Sequence, residues 1–298
     1  MNVVLGNIKE LGRVLMHEHL TIDLSGEKDA DANLDDDEAM INDLKLLKTA
    51  GIDTITDVTN LGMGRDIDRM AMISQKSGVN VVASTGFYKT PFFPDMVYEK
   101  SVRELSSFMI KEIVIGIDET GVKAGIIGEI GTSRDGFIDE EKKVLLAAAR
   151  VHAETGIPIT THTTLGKLGL EQIALFEKNG VNLERVIIGH LDLNPDMDYY
   201  LRILEKGCYI GFDTIGKNNY QPDGIRVGNL YKLVEKGYGD RIVLSLDITR
   251  KSQMKKYGGY GHSYIVESFM PMLLRNGISQ KDIDMMLIEN PKRFFGGR

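Results

Sequence analysis

Short apolar runs rich in Val and Ile alternate along the chain with longer stretches in which apolar residues recur every three or four positions. That alternation predicts repeated strand and helix units feeding a parallel sheet. Eight runs read as strands: 13–20 (RVLMHEHL), 53–60 (DTITDVTN), 80–88 (NVVASTGFY), 124–131 (AGIIGEIG), 157–163 (IPITTHT), 185–192 (RVIIGHLD), 208–216 (CYIGFDTIG) and 241–249 (RIVLSLDIT). Most are bounded by Gly or Pro, as in KTAGIDT, ETGIPIT and EKGCY, where Gly closes a preceding helix. Helical periodicity marks DDDEAMINDLKLLKTAG, with acids in its first turn and Lys in its last, as the helix dipole favours. It recurs in ELSSFMIKEIVIGI, EKKVLLAAARVHAETG, LEQIALFEKNG and the C-terminal pair SYIVESFMPMLLRNG and SQKDIDMMLIENPKRFF. No linker or composition break interrupts the series, so residues 1–298 are expected to form one α/β domain, a (β/α)8 TIM barrel. A doubly wound sheet would normally carry a phosphate or nucleotide loop after its first strand, and HEHL is not one.

Composition changes this picture little. Hydrophobic residues at 42% and charged residues at 27% fit a soluble globular protein with a sizeable core. A net charge of −7 speaks against neutralising nucleic-acid phosphates. The N-terminal MNVVLGNIKELGRVLMHEHL lacks a basic segment followed by a long apolar one, and no run reaches membrane-spanning length, so a cytoplasmic location is expected. The lone Cys208 cannot form an internal disulfide and reads as a small core residue within EKGCYIGF. The expected partner is a small molecule, with neither nucleic acid nor membrane involved; a homodimer stays open.

The chemistry concentrates where a barrel carries its active site, at the C-terminal ends of the strands. His17 and His19 end the first strand, and a period of two places both on one face. Glu129 ends the fourth strand, His162 the fifth, His190 the sixth and Asp247 the eighth. Neutral imidazole and carboxylate suit Zn²⁺, Mn²⁺, Fe²⁺ or Co²⁺ without any thiolate. Four histidines and two carboxylates exceed what one tetrahedral ion requires, whereas two ions roughly 3.5–4 Å apart would use them all. No organic cofactor is expected. His152 lies inside a helical stretch and is assigned no role; His262 follows YGGYG and reads as a loop residue that can still line the mouth. Lys217 and Arg250 follow strands seven and eight and form a candidate anion pocket, Arg being suited to bidentate phosphate binding. Tyr88, at the end of the third strand, is a candidate to orient a substrate carbonyl.

With HEHL, AGIIGEIGTS, THTTLG, IGHLDLN, FDTIGKN, LSLDITR and the closing ENPKRFF, the chain resembles the phosphotriesterase family of the amidohydrolase superfamily, in particular its bacterial phosphotriesterase homology branch. The resemblance runs over nearly the whole chain. It implies a pair of metal ions, zinc foremost: one held by His17, His19 and Asp247, the other by His162 and His190, with a bridge from strand four. In many members that bridge is a carboxylated lysine; here the strand-four end reads GEIG, so Glu129 takes the role. Lys123, six residues earlier, lies roughly 20 Å away along an extended strand and belongs at the opposite end of the barrel.

Two close cations lower the pKa of a bridging water toward neutrality and polarise the substrate, and Asp247 is the candidate proton acceptor. The expected activity is hydrolysis of a carboxylic ester or lactone, with a phosphorylated sugar lactone as the anionic example. The alternatives are phosphoester hydrolysis, a metal-dependent deoxyribonuclease of the TatD-like type, and a metal-binding barrel without turnover. HEHL, DITRK and the acidic balance oppose the deoxyribonuclease, and the complete ligand set opposes lost turnover.

Overall fold

A computed structural model describes residues 1–296; Gly297 and Arg298, the end of the expected domain, lie outside the described residues. Every expected strand position is occupied: β1 Val14–Glu18, β2 Thr54–Asp57, β3 Asn80–Val82 continued by Ser84–Thr85, β4 Ile126–Thr132, β5 Ile159–Thr163, β6 Val186–Ile188, β7 Tyr209–Phe212 and β8 Ile242–Leu244. All neighbouring pairs are parallel. The ladder divides into an arc of β1, β2 and the first half of β3, and a second arc running from the other half of β3 to β8. The break falls at Ala83, within the single expected strand 80–88.

Side chains close the remaining seam between β8 and β1. Ser245 accepts the His17 N–H at 3.0 Å, and the buried Glu18 carboxylate accepts the Ser245 hydroxyl at 2.7 Å and the Leu246 N–H at 2.8 Å. The two bonds to Glu18 are charge-assisted in a dry seam, where such bonds are strongest.

Strand alternation sorts the core into two populations. Val14, Met16, Ile126, Ile187, Tyr209 and Val243 form an inner cluster, while Leu15, Ile127, Ile188, Ile210 and Leu244 belong to the larger cluster between strands and helices. Phe294, from the helix Asn290–Phe294, joins the inner cluster edge-on to Tyr209 at 5.6 Å. ENPKRFF thus seals the lower end of the barrel, and burying that ring contributes about 2–3 kcal/mol.

The helices begin where side chains cap them. Asp36 accepts the Ala39 N–H to start Asp37–Thr49, Asp66 starts Ile67–Ser77, and Ser101 with Glu104 forms a capping box for Val102–Val114. The outer layer continues with helices at Asp139–Thr155, Gly169–Lys178, Met197–Leu204 and Asp223–Glu235; the last contains Gly224 and Gly228, which blur its apolar period. No helix among the described residues is long and apolar enough to cross a membrane.

Candidate metal centre

At the C-terminal ends of the strands the chain leaves the ladder abruptly. His190 and Asp247 both adopt left-handed backbone, φ 57° and 53°, just past β6 and β8. Such conformations in non-glycine residues hold only where the surroundings fix them. In β1 the pairing register with β2 shifts between Leu15 and Glu18. Val14 and Met16 face the inner cluster by alternation, yet His17, the next residue, also reaches the centre. This irregularity, more than simple alternation, delivers the H-x-H pair.

The structure brings together all six residues expected as ligands. Glu129 stands in the middle: its Oε2 is 3.4 Å from His17 Nε2, 3.1 Å from His162 Nδ1 and 3.3 Å from His190 Nε2, and its Oε1 is 3.4 Å from His19 Nε2. Asp247 Oδ1 lies 3.2 Å from His19 Nε2 and 3.8 Å from His17 Nε2. His17, His19 and Asp247 form one group able to hold a cation, and Glu129, His162 and His190 form another. His17 Nε2 and His19 Nε2 are buried without hydrogen-bond partners. Unpaired buried imidazole nitrogens aimed at carboxylates are costly unless a cation satisfies both, so the donor set fits two divalent ions.

Neighbours orient the rings. The Thr59 hydroxyl is 2.9 Å from His19 Nδ1, and Asp57 anchors that loop by accepting the Thr59 N–H at 2.8 Å and the Leu20 N–H at 2.7 Å. Asn60 donates to the Glu129 carbonyl at 2.7 Å. Asp213, just past β7, accepts the His190 Nδ1 proton at 2.8 Å. Sequence reasoning missed Asp213, although its position after CYIGF obeys the same strand-end rule.

Electrostatics separates the histidines. Burial alone would lower His19, but the nearby Asp247 and Glu129 carboxylates prevail and hold it at about 9. Burial and the neighbouring His190 push His162 down to about 4. His190 is raised despite burial by the adjacent Asp213. Glu129, against its burial, is held well below the usual carboxylate range by the surrounding imidazoles, His17 foremost.

Above this centre lies a cavity of about 300 Å³ lined by Tyr88, Lys217 and Arg250, and also by Lys28, Lys89 and Gln253. Tyr88 places its hydroxyl 3.3 Å from His162 Nδ1, and burial raises its pKa so that it stays protonated. Lys217 donates to Asp247 Oδ2, and Arg250 pairs with Asp29 at 2.7 Å and Asp31 at 3.5 Å. Lys28 and Lys89 have no carboxylate partner among the described residues. Their ammonium groups lie 5.7 Å from the Phe92 ring and 5.5 Å from the Tyr88 ring, and the two rings are 5.5 Å apart.

The remaining candidates lie elsewhere. Lys123 lines a hollow beside a small antiparallel hairpin of Asn2–Val3 and Gly6–Asn7, away from the centre. His152 is satisfied by the Ile157 carbonyl at 2.8 Å and the Asn182 N–H at 3.2 Å. His262 does not line the mouth: it is fully buried behind β1, its Nδ1 3.3 Å from Asp43.

A barrel with this strand-end cluster defines a metal-dependent hydrolase of the two-ion kind. The chain belongs to the phosphotriesterase family, which it matches over residues 1–295. It is 47% identical to the phosphotriesterase homology protein of Escherichia coli, over 95% of this chain and 98% of that one. An N-acetyltaurine hydrolase of Dictyostelium discoideum is 36% identical over 87% of this chain and 73% of its own length. Among solved structures, a lactonase from Listeria monocytogenes superposes with a TM-score of 0.94 at 30% identity, covering 100% of this chain and 99% of that one.

Proposed function

We propose that the chain hydrolyses a carboxylic ester or lactone in a small substrate that carries an anionic group, a phosphorylated sugar lactone being the leading example. One observation carries the reading: the cavity over the six ligands is lined by four cationic side chains, Lys28, Lys89, Lys217 and Arg250, two of them without a carboxylate partner among the described residues. The relatives support it. A lactonase opens a cyclic ester, and N-acetyltaurine joins an acyl group to a sulfonate-bearing amine, so both act at an acyl carbon.

His17, His19 and Asp247 would hold one ion and His162 and His190 the other, with Glu129 between them. When bound, such a pair supplies Lewis acidity and acidifies water. The chain's own groups do the rest. Asp247 takes the proton of the attacking water and returns it to the leaving oxygen. Lys217, paired with the outer oxygen of Asp247, keeps that carboxylate ionised and aimed. The Tyr88 hydroxyl donates to the acyl oxygen, and Lys28 and Lys89 meet the anionic end.

The test is a screen of zinc- or manganese-loaded enzyme on matched lactones, esters, N-acyl amides and phosphotriesters, each with and without a phosphate or sulfonate. Faster turnover of the anionic acyl compounds is expected. Phosphotriesters turned over best, or neutral compounds preferred, would overturn the reading.

A further inference from the structure

Asp213 occupies a position that the ligand set does not explain. Its carboxylate is fully buried and faces two imidazoles on different strands. Oδ1 accepts both the backbone N–H and the Nδ1 proton of His190, each at 2.8 Å. Oδ2 lies 3.5 Å from Nδ1 of His17. Both of those atoms are buried and otherwise without a partner, so each is the other's available complement. The backbone makes room for this reach. A Cβ on Gly211 would stand 2.2 Å from Asp213 Oδ2, and one on Gly189 would stand 3.2 Å from it.

We infer that Asp213 is a positioning residue that couples the two metal positions, because one carboxylate fixes the tautomer of His17 at the first and of His190 at the second. The inference rests on the two-ion reading above. With the proton held on Nδ1 of both rings, both Nε2 lone pairs turn toward Glu129, 3.4 Å away for His17 and 3.3 Å for His190. Carboxylate partners of this kind fix ring orientation and raise ligand basicity. His17, His190 and Asp213 also lie close enough to hold an ion themselves. That arrangement is disfavoured, because it would spend the nitrogen that His190 already uses to donate to Asp213.

The consequence is specific. An amide in place of the carboxylate offers one acceptor and one donor. Whichever way it turns, one imidazole meets an N–H and its proton moves to the Nε2 that a metal needs, while the other keeps only a neutral acceptor in place of a carboxylate, so both metal positions are weakened. Thr59 provides the comparison, since its hydroxyl contacts His19 alone among the six ligands.

The experiment titrates metal-free wild type, Asp213→Asn and Thr59→Val with Zn²⁺ against a chromophoric chelator. Circular dichroism and thermal unfolding of the metal-free proteins verify that each is folded. Asp213→Asn should weaken both binding steps about tenfold or more, while Thr59→Val weakens one. ¹⁵N imidazole shifts of zinc-loaded wild type should show Nδ1 protonated in His17 and His190 alike. Weakening of a single step by Asp213→Asn, or of neither, overturns the coupling. A third ion in wild type that Asp213→Asn loses makes Asp213 a ligand and overturns it too. A single ion in wild type instead sinks the two-ion reading itself.

Discussion

The carboxylate of Glu18 brackets Asp247: it accepts the N–H of Leu246 at 2.8 Å and that of Ile248 at 3.3 Å, the residues on either side of that aspartate. Glu18 itself lies between His17 and His19, so the residue inside the H-x-H pair secures the turn that brings Asp247 to the same centre. Removing it strands buried donors at about 1–3 kcal/mol each. Glu18→Ala is expected to lower Tm by several degrees and to reduce metal content, with Glu18→Gln milder because it keeps one acceptor. Thermal unfolding and metal analysis on the same preparations check this; an unchanged Tm in Glu18→Ala would show that the seam closes without it.

Glu129 touches all four clustered histidines, which is the geometry of a bridge. Glu129→Ala should retain at most one ion per chain where wild type holds close to two. Elemental analysis after dialysis reads this directly, and two ions retained would remove the bridging role.

Asp247→Asn keeps the shape of the side chain and removes its basicity. Turnover should fall roughly 100-fold or more, in the range that general acid–base catalysis supplies, with KM within a few-fold of wild type. A rate near wild type would assign the proton transfer to another group.

The four cations of the cavity are not equivalent. Asp29 and Asp31 already engage Arg250, and Asp247 engages Lys217. Desolvation lowers the pKa of Lys28 and of Lys89, so a bound anion would relieve both. Lys28→Ala and Lys89→Ala should each raise KM for an anionic substrate about 10-fold or more, the scale of one charge-assisted hydrogen bond, and leave a neutral analogue unaffected. Equal effects on both substrates would indicate a packing role.

Burial pushes the Cys208 thiol up to about 12. A raised folded-state pKa means that the thiolate forms in the unfolded chain first, so stability contributed by this group is complete below the ordinary thiol pKa and declines as pH rises toward 12. At pH 8 the native protein should resist thiol reagents and react stoichiometrically once unfolded. Rapid labelling of the native protein would place the thiol in contact with solvent.

The six clustered residues were legible in the sequence because a barrel concentrates chemistry at strand ends and because His17, His162 and His190 each close a short apolar run. Other features need three dimensions. Asp213 is ordinary as a strand-end aspartate until its two imidazole neighbours are known. Nothing in the sequence singles out Lys28 or Lys89, and it is the packing of Phe92 on Tyr88 that brings them together at the cavity. His262 looks like a loop residue after YGGYG, yet Asp43 and Glu18 draw it inside. The break of β3 at Ala83 is not specified by NVVASTGFY, since it reflects which neighbour each half of the strand pairs with.

Lys28 and Lys89 rim the cavity of a chain whose net charge is −7. The body of the molecule and its mouth thus act on an approaching anion with opposite sign. In dilute buffer the long-range field repels; at physiological ionic strength the screening length of about 8 Å silences the distant acids and leaves the nearby ammonium groups in force. Added salt in the low range should therefore hasten capture of an anionic substrate before higher concentrations slow it, a reversal that a uniformly charged surface does not produce.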